Sequence, residues 1–477
     1  MIEKPSDFYR HLKSKFPFQP TEKQDLVLMQ LSDFVFDTSS RSLYLLQGYA
    51  GTGKTSIIGV LVSQLWQAKK SAVLLAPTGR AAKVISNYSQ KEAFTIHKKI
   101  YFPKKNSGGG VKFVLQPNKH RNTIFIVDEA SMIPDTPGDS RLFENGSLLD
   151  DLMEYVYSGH NCKLLLIGDK AQLPPVKSEL SPALDAHKLE LTYDKHVKGL
   201  ELDEVMRQEQ DSGILINATE LRNTLHSELY DSFKFNLKGF TDIVRLIDGY
   251  EIMDAINDAY SANGYEETAI IVRSNKRANM YNKQIRERIL FNETELSAGD
   301  HLMVVKNNYF WLKATSEAGF IANGDIIEVL EIFSLKEIYG FRFAEVKIQM
   351  VDYPRMKPFE TVLLLNTIES HSPSLTYEES NQLYQEVLKD YANETSKYKQ
   401  FIGVKKNSFF NALQVKFSYA ITCHKSQGGQ WNTIFVEQPY LPEGVNRDYV
   451  RWLYTAMTRA KEKLYLIGFK DDFFMEN

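Results

Sequence analysis

Two cysteines, Cys162 and Cys423, are all that 477 residues contain. So small a number excludes a disulfide framework and a cysteine-built zinc cluster, and it fits a reducing compartment. No apolar run approaches the roughly 18 residues that a membrane span needs. The opening Met1-Ile2-Glu3-Lys4-Pro5-Ser6-Asp7 lacks the basic-then-apolar pattern of a signal peptide. A soluble, cytoplasmic protein with no membrane partner is expected. A global basic excess is missing too: the formal net charge is −3, so any contact with nucleic acid has to be local. Internal repeats and low-complexity tracts are absent. Hydrophobic residues at 43% and charged residues at 25% describe an ordinary globular chain, long enough for about two to four domains.

What is present centres on residues 43–55. The apolar run Leu43 to Leu46 reads as a buried strand, and it feeds Gly48-x-x-x-x-Gly53-Lys54-Thr55, with Gly51 inside the loop. Ile57, Ile58, Val60, Leu61 and Leu65 follow at helical spacing. Strand, glycine turn and helix form the context in which this motif binds phosphate. The glycines let backbone N–H groups close on the anion, and the helix start adds positive potential. Lys54 is placed to reach the β- and γ-phosphates of ATP, with the Thr55 hydroxyl on Mg²⁺.

Further apolar runs, Ala72–Ala76, Thr123–Val127 and Lys163–Ile167, each end in small polar residues, as buried parallel strands do. In such sheets the ligand lies beyond the carboxyl ends of the strands, so these tails converge on the glycine loop. Asp128 is then a Mg²⁺ ligand, and Glu129 is placed to orient or deprotonate an attacking water. Gln172, able to donate and accept, can sense a γ-phosphate. Upstream, Thr21 and Gln24 have capping-box spacing, while the Gln24 amide is also suited to an adenine edge. Spacing alone favours the cap.

Residues 98–122 carry seven Lys or Arg around Gly108-Gly109-Gly110, interleaved with Tyr101, Phe102 and Phe113. They read either as a solubilised surface hairpin or as one that touches phosphates and stacks on bases. A second α/β pattern starts at Ala269–Val272 and continues through Phe417–Ile421, Thr433–Val436 and Leu464–Ile467, without a second phosphate loop. Residues 224–265 carry no motif. From Ile326 to about Asn366 short alternating strands predict a small barrel, and residues 375–400 read as helical.

Taken in order, Gly48–Thr55, Ala76–Ala82, Thr95–His97, Asp128–Ser131, Gly168–Pro175, Val205–Gln208, Ala420–Gly428 and Tyr454–Lys461 resemble the motifs of superfamily 1 helicases, in their RecD/Dda-like branch. The resemblance implies an α/β fold with two RecA-like domains on parallel sheets and ATP with Mg²⁺ between them. The first would comprise 1–97 and 123–210, with a pin hairpin at 98–122. The second would comprise 211–325 and 401–477, with an inserted SH3-like barrel and helical extension at 326–400. It implies arginine fingers at Arg207 and Arg459, an adenine-reading Gln24 and a nucleotide contact at Gly428. Pro77, Thr78, Arg80, His97, Thr422 and His424 would follow single-stranded DNA, and Phe102 and Phe113 would sit on a wedge. The implied activity is ATP-dependent unwinding of DNA by a monomer moving 5′ to 3′. Its partners would be single strands, duplex junctions and single-strand-binding, replication or recombination proteins. A translocase on RNA, a motor that strips proteins, and a RecD-like subunit of a recombination nuclease share the same motifs.

Overall fold

The computed structural model describes residues 1–105, 111–137, 146–176, 178–204, 211–313, 316–394 and 396–475. The apolar runs of the first half form β1 (Ser42–Gly48), β2 (Ser71–Ala76) and β3 (Ala93–Thr95), followed by a two-stranded antiparallel hairpin of β4 (Tyr101–Lys105) and β5 (Val111–Leu115). Then come β6 (Thr123–Val127), β7 (Lys163–Gly168) and β8 (His196–Leu202). The hairpin aside, these strands make one parallel sheet in the order β3-β2-β6-β7-β1-β8. Its runs are apolar throughout, not alternating, because both faces are covered. Tyr44, Leu46, Ile126 and Leu165 pack under the helices Pro5–Lys15, Glu22–Phe36 and Lys54–Gln64. Leu43, Leu45, Phe125 and Leu166 pack on the face shared with Leu148–Tyr157. Each fully buried side chain of this size contributes about 1.5–3 kcal/mol.

β8 is absent from the pattern of apolar runs, since it alternates charge and sits at the sheet edge. Its pairing depends on Gly199: a Cβ there would lie 2.1 Å from the Leu45 carbonyl oxygen, so any side chain would push the strand off β1.

The second half begins with β9 (Ile243–Leu246), a strand in the stretch that carries no motif, and β10 (Thr268–Val272). The chain then enters a closed barrel of β11 (His301–Val304), β12 (Ile326–Ile338), β13 (Phe341–Met350), β14 (Phe359–Leu364) and β15 (Leu413–Phe417). It returns as β16 (Ala420–Thr422), β17 (Trp431–Glu437) and β18 (Ala460–Ile467), which give a second parallel sheet in the order β16-β10-β17-β18-β9. The barrel therefore takes strands from either side of 326–400. The run Phe417–Ile421, expected as one strand, is divided: Ser418 N–H still bonds His301 O at 3.1 Å, while Tyr419 O already accepts from Ile270 N–H at 3.1 Å. The helices Tyr377–Lys389 and Lys397–Lys406 close over the barrel on Phe341, Phe343 and Leu364.

The barrel meets the first lobe at Asp325. Its Oδ2 accepts from Ala322 N–H at 2.7 Å, while buried Oδ1 has no hydrogen-bond partner and lies 2.7 Å from where a Cβ on Gly79 would stand. Burial, with Asp352 adding like charge, pushes the Asp325 carboxyl up to about 8. A raised carboxyl pKa gives stability that is complete below the ordinary carboxylate value and lost as pH rises through about 8. Asp325→Asn is therefore expected to raise the melting temperature by about 3–5 °C at alkaline pH and to leave it unchanged near pH 4. Melting curves of the two proteins across that range check this, and equal Tm differences at every pH would refute it.

Candidate nucleotide cleft and strand groove

The loop after β1 is built on two left-handed glycines, Gly51 at φ 73° and Gly53 at φ 80°, the second capping helix Lys54–Gln64. Gly48 is needed for space, since a Cβ there would lie 3.0 Å from Thr52 Oγ1 and 3.1 Å from Lys54 Cδ. Lys54 Nζ donates to the carbonyls of Gly48 and Tyr49 at 2.6 and 2.7 Å, which holds the ammonium at the loop, and Thr55 stands exposed at the helix start. Gln24 does close a capping box with Thr21, and its Nε2 also donates to Thr52 O at 3.1 Å. The buried amide thus ties the second helix to the glycine loop, with one N–H left for another acceptor.

Asp128 and Glu129 follow β6 directly. Asp128 Oδ2 accepts from the Tyr88 hydroxyl at 2.7 Å, and Oδ1 accepts from Glu129 N–H at 2.8 Å. Glu129 has φ 52°, a left-handed conformation that costs a non-glycine residue about 1–2 kcal/mol and re-aims its side chain. Across the cleft, Arg459 Nη1 from the second lobe stands 3.6 Å from Glu129 Oε1. The guanidinium is held by the carbonyls of Thr455 at 3.1 Å and Gly429 at 3.3 Å and by Thr458 Oγ1 at 3.3 Å. Burial pushes the Glu129 carboxyl above its usual range, against the pull of Arg459 and Lys54 and with the help of Asp128.

The two lobes also meet through Tyr454, which is fully buried. Its hydroxyl donates to Asp169 Oδ2 at 2.5 Å and accepts from Ala50 N–H of the glycine loop at 3.0 Å. Leu173 N–H bonds Thr455 Oγ1 at 2.9 Å, and Gln427 Nε2 bonds Leu173 O at 2.7 Å. Beside this clasp, the buried Oε1 of Gln172 has no hydrogen-bond partner, so an acceptor is present and unengaged at the cleft. Two left-handed glycines, a lysine at their mouth, a strand-end carboxylate pair and this amide fit a magnesium-bound triphosphate.

A separate groove of about 320 Å³ lies at the other end of the first sheet, beyond β2, β3 and β6. Pro77, Thr78 and His97 line it, facing Asn307, Phe320 and Asn323 from the barrel side. Thr78 caps the helix Gly79–Ser89, accepting from Ala81 N–H at 3.2 Å. Burial pushes the His97 imidazole down to about 4, so it is neutral at pH 7. Thr422 and His424 sit at the carboxyl end of β16 outside the groove lining, but neighbouring Lys425 bonds Asn323 Oδ1 at 2.5 Å and joins that loop to the groove wall.

Three assignments change. Arg80 stacks on Trp431 at 3.9 Å and donates to Glu266 O at 3.4 Å, which directs its guanidinium to the second lobe and away from the groove. Phe113 is buried with its ring 4.2 Å from that of Tyr309, so the hairpin uses it for packing, whereas Phe102 is 39% exposed. Gly428, expected at the nucleotide, packs against the first lobe: at φ 74°, a Cβ there would lie 2.8 Å from Ala81 Cβ and 3.0 Å from Thr78 Oγ1. Arg207 lies outside the described residues, as does the glycine tip of the hairpin.

A family model described as an AAA domain matches residues 35–232, and one described as a UvrD-like helicase C-terminal domain matches residues 417–467. Protein R530 of Acanthamoeba polyphaga mimivirus, itself uncharacterised, is 24% identical over 93% of this chain and 98% of its own length. The ATP-dependent DNA helicase dda of Enterobacteria phage T4 is 26% identical over 60% of this chain and 62% of its own. The RecBCD enzyme subunit RecD of Buchnera aphidicola is 24% identical over 95% of this chain and 73% of its own. The chain is thus similar to superfamily 1 helicases of the RecD/Dda branch.

Four site residues have no role assigned by the motifs alone. Asp169 follows β7 as Asp128 follows β6, a parallel that marks it out. Tyr454 and Thr455 lie five and four residues before Arg459, in the last turn of the helix Arg447–Met457. Tyr88 occupies an ordinary amphipathic position with no signal of its own. Among the described residues no helix is long and apolar enough to cross a membrane.

Proposed function

We propose that the protein is an ATP-driven DNA helicase that moves 5′ to 3′ on single-stranded DNA and opens duplex ahead of it. Arg459 carries this proposal: an arginine of the second lobe stands within 3.6 Å of the strand-end Glu129 of the first, so the hydrolytic site is complete only while the lobes are together. In this assignment residues 1–97 and 123–210 form the ATP lobe, 98–122 the pin, and the second sheet the partner lobe. The barrel strands β11 to β15 form the guide. Lys54 neutralises the β- and γ-phosphates, and Thr55 and Asp128 are the residues that would hold Mg²⁺, which supplies charge neutralisation on the phosphate oxygens. Glu129 takes the proton of the water whose oxygen bonds phosphorus as the bond to ADP breaks. The arriving triphosphate gives Arg459 a stronger anion than Glu129, which frees the carboxylate to act as base. Gln172 reads the γ-phosphate by donating an amide N–H, while its unengaged oxygen is left to accept from the attacking water.

Strand contact belongs to Thr78, Pro77 and His97 in the groove, with Thr422 and His424 on the second lobe. A hydroxyl and a neutral imidazole suit phosphates held without regard to sequence. Closing and opening of the lobes moves one set of contacts relative to the other, which is a step.

The experiment is unwinding of duplexes with single-stranded tails of either polarity, with ATPase measured with and without DNA. Unwinding confined to 5′-tailed substrate is expected. Activity only on 3′ tails would reverse the direction, and stronger stimulation by RNA than by DNA would change the substrate. Phe102→Ala is expected to lower the unwinding rate about tenfold, the loss of one stacking partner, with DNA-stimulated ATPase within about twofold. Equal loss of both would remove Phe102 from the wedge.

A further inference from the structure

A second cleft between the lobes, of about 500 Å³, opens at the β1 and β8 edge of the first sheet. It lies on the Leu43 and Leu45 face, opposite the helix that follows the glycine loop. Lys170 and His187 line it from the first lobe, and Arg222, His226, Arg447 and Arg451 from the second, with Tyr49 also in its wall. None of Lys54, Thr55, Asp128 or Glu129 lines it, and the strand groove is at the far end of the sheet.

The charges in this cleft are unevenly matched. Glu201 pairs with Lys170 and accepts from the Tyr49 hydroxyl, so one cation has its carboxylate. Asp185, the carboxylate in the lining, caps the helix Ala186–Tyr193 by accepting from Lys188 N–H at 3.1 Å. Arg451 is 7% exposed and donates to a backbone carbonyl, Glu179 O at 2.7 Å. Arg222 lies over the Tyr49 ring at 4.5 Å and donates to Asp203 O at 3.0 Å. Among the described residues Arg222, Arg447 and Arg451 have no carboxylate at ion-pair distance. Burial and the neighbouring Arg447 both disfavour the charge of Arg451, against the pull of Asp448 on the same helix. Arg222 and Arg451, on two helices of the second lobe, have carbonyls in place of counter-ions, and the exposed Arg447 stands at the same open space across from Lys170, an arrangement that calls for an anion.

We propose that this cleft is a second anion site, in which Arg222, Arg447 and Arg451 grip a phosphate-bearing ligand and bridge the lobes. Planar guanidinium forks match phosphate oxygens two at a time, and the volume suits a ligand of nucleotide size. The ligand is either a phosphodiester stretch of nucleic acid or a free polyphosphate, the recognised chemistry being the same. A ligand here touches Tyr49, one residue before the Ala50 amide that Tyr454 holds.

The test is calorimetric titration of the full chain, its ATP site saturated with Mg-ADP, first with inorganic pyrophosphate and then with a single-stranded oligonucleotide. Arg222→Gln and Arg447→Gln are compared with the parent, and ADP affinity and melting temperature are read alongside to confirm folding. Pyrophosphate binding to the parent, weakened at least about tenfold in each variant, is expected, as befits loss of a charged hydrogen-bond pair. If oligonucleotide affinity falls as well, and its salt dependence drops by about 0.7 per contact removed, the occupant is a nucleic-acid strand; unchanged oligonucleotide binding assigns the site to a free polyphosphate. Absence of pyrophosphate binding to the parent, or identical binding by parent and variants, would overturn the site. Loss of ADP binding by the parent would instead count against the nucleotide cleft.

Discussion

Lys54→Ala is expected to lower ATP turnover at least about a thousandfold while single-stranded DNA still binds within about threefold of the parent. The ammonium sits 2.6 and 2.7 Å from the carbonyls of Gly48 and Tyr49 and is the charge that the glycine loop itself brings to phosphate. Truncation removes that charge and leaves two carbonyl oxygens facing an anion. The groove lined by Pro77, Thr78 and His97 does not include Lys54, so strand affinity measured without nucleotide has no reason to move. Steady-state ATPase and fluorescence anisotropy on a labelled oligonucleotide separate the two. Turnover within tenfold of the parent would contradict the phosphate assignment.

Arg459→Ala is expected to cost between about 10³ and 10⁵ in turnover, the range of arginine fingers in phosphoryl transfer. It should also alter the pH profile. Glu129 accepts a proton only when ionised, and burial already raises its pKa, so turnover falls as pH drops through a value above the ordinary carboxylate range. Arg459 opposes that rise, and its removal therefore moves the acid limb to higher pH. Arg459→Lys keeps the charge without the fork, so the limb should return towards the parent's while most of the rate loss remains. Arg459 is also bonded to the carbonyls of Thr455 and Gly429, so melting temperatures of both variants are needed beside kcat/KM against pH, which reports the nucleotide-free protein. An acid limb unmoved in the alanine variant would separate Arg459 from Glu129.

The elements legible in the chain and those that were hidden differ in how locally they are determined. β1, β2, β6 and β7 are apolar on both faces, and the acidic or glycine-rich tails that follow them have one place to go in a parallel sheet. The α/β class, the two sheets and the barrel follow from such runs. β8 alternates charge, and its place depends on the bare backbone of Gly199 against Leu45, which only the paired strands reveal. β11 and β15 are short and resemble the neighbouring strands, so the closure of the barrel could not be read from alternation. Aromatic residues on a hairpin look alike before folding. Phe102 is left open while Phe113 is taken by Tyr309, a partner nearly 200 residues further along the chain. Arg80 likewise finds Trp431 only because the lobes touch.

One phenolic oxygen has a consequence for timing. The Tyr454 hydroxyl joins an amide of the glycine loop to the carboxylate of Asp169, and it rides on the helix Arg447–Met457 that also presents Arg447 and Arg451 to the second cleft. A rigid rod with a grip at each end cannot shift at one without reporting at the other. An anion seated against the outer arginines, as proposed, would bear on how readily the inner hydroxyl releases its amide, and so on a phosphate loop it never enters.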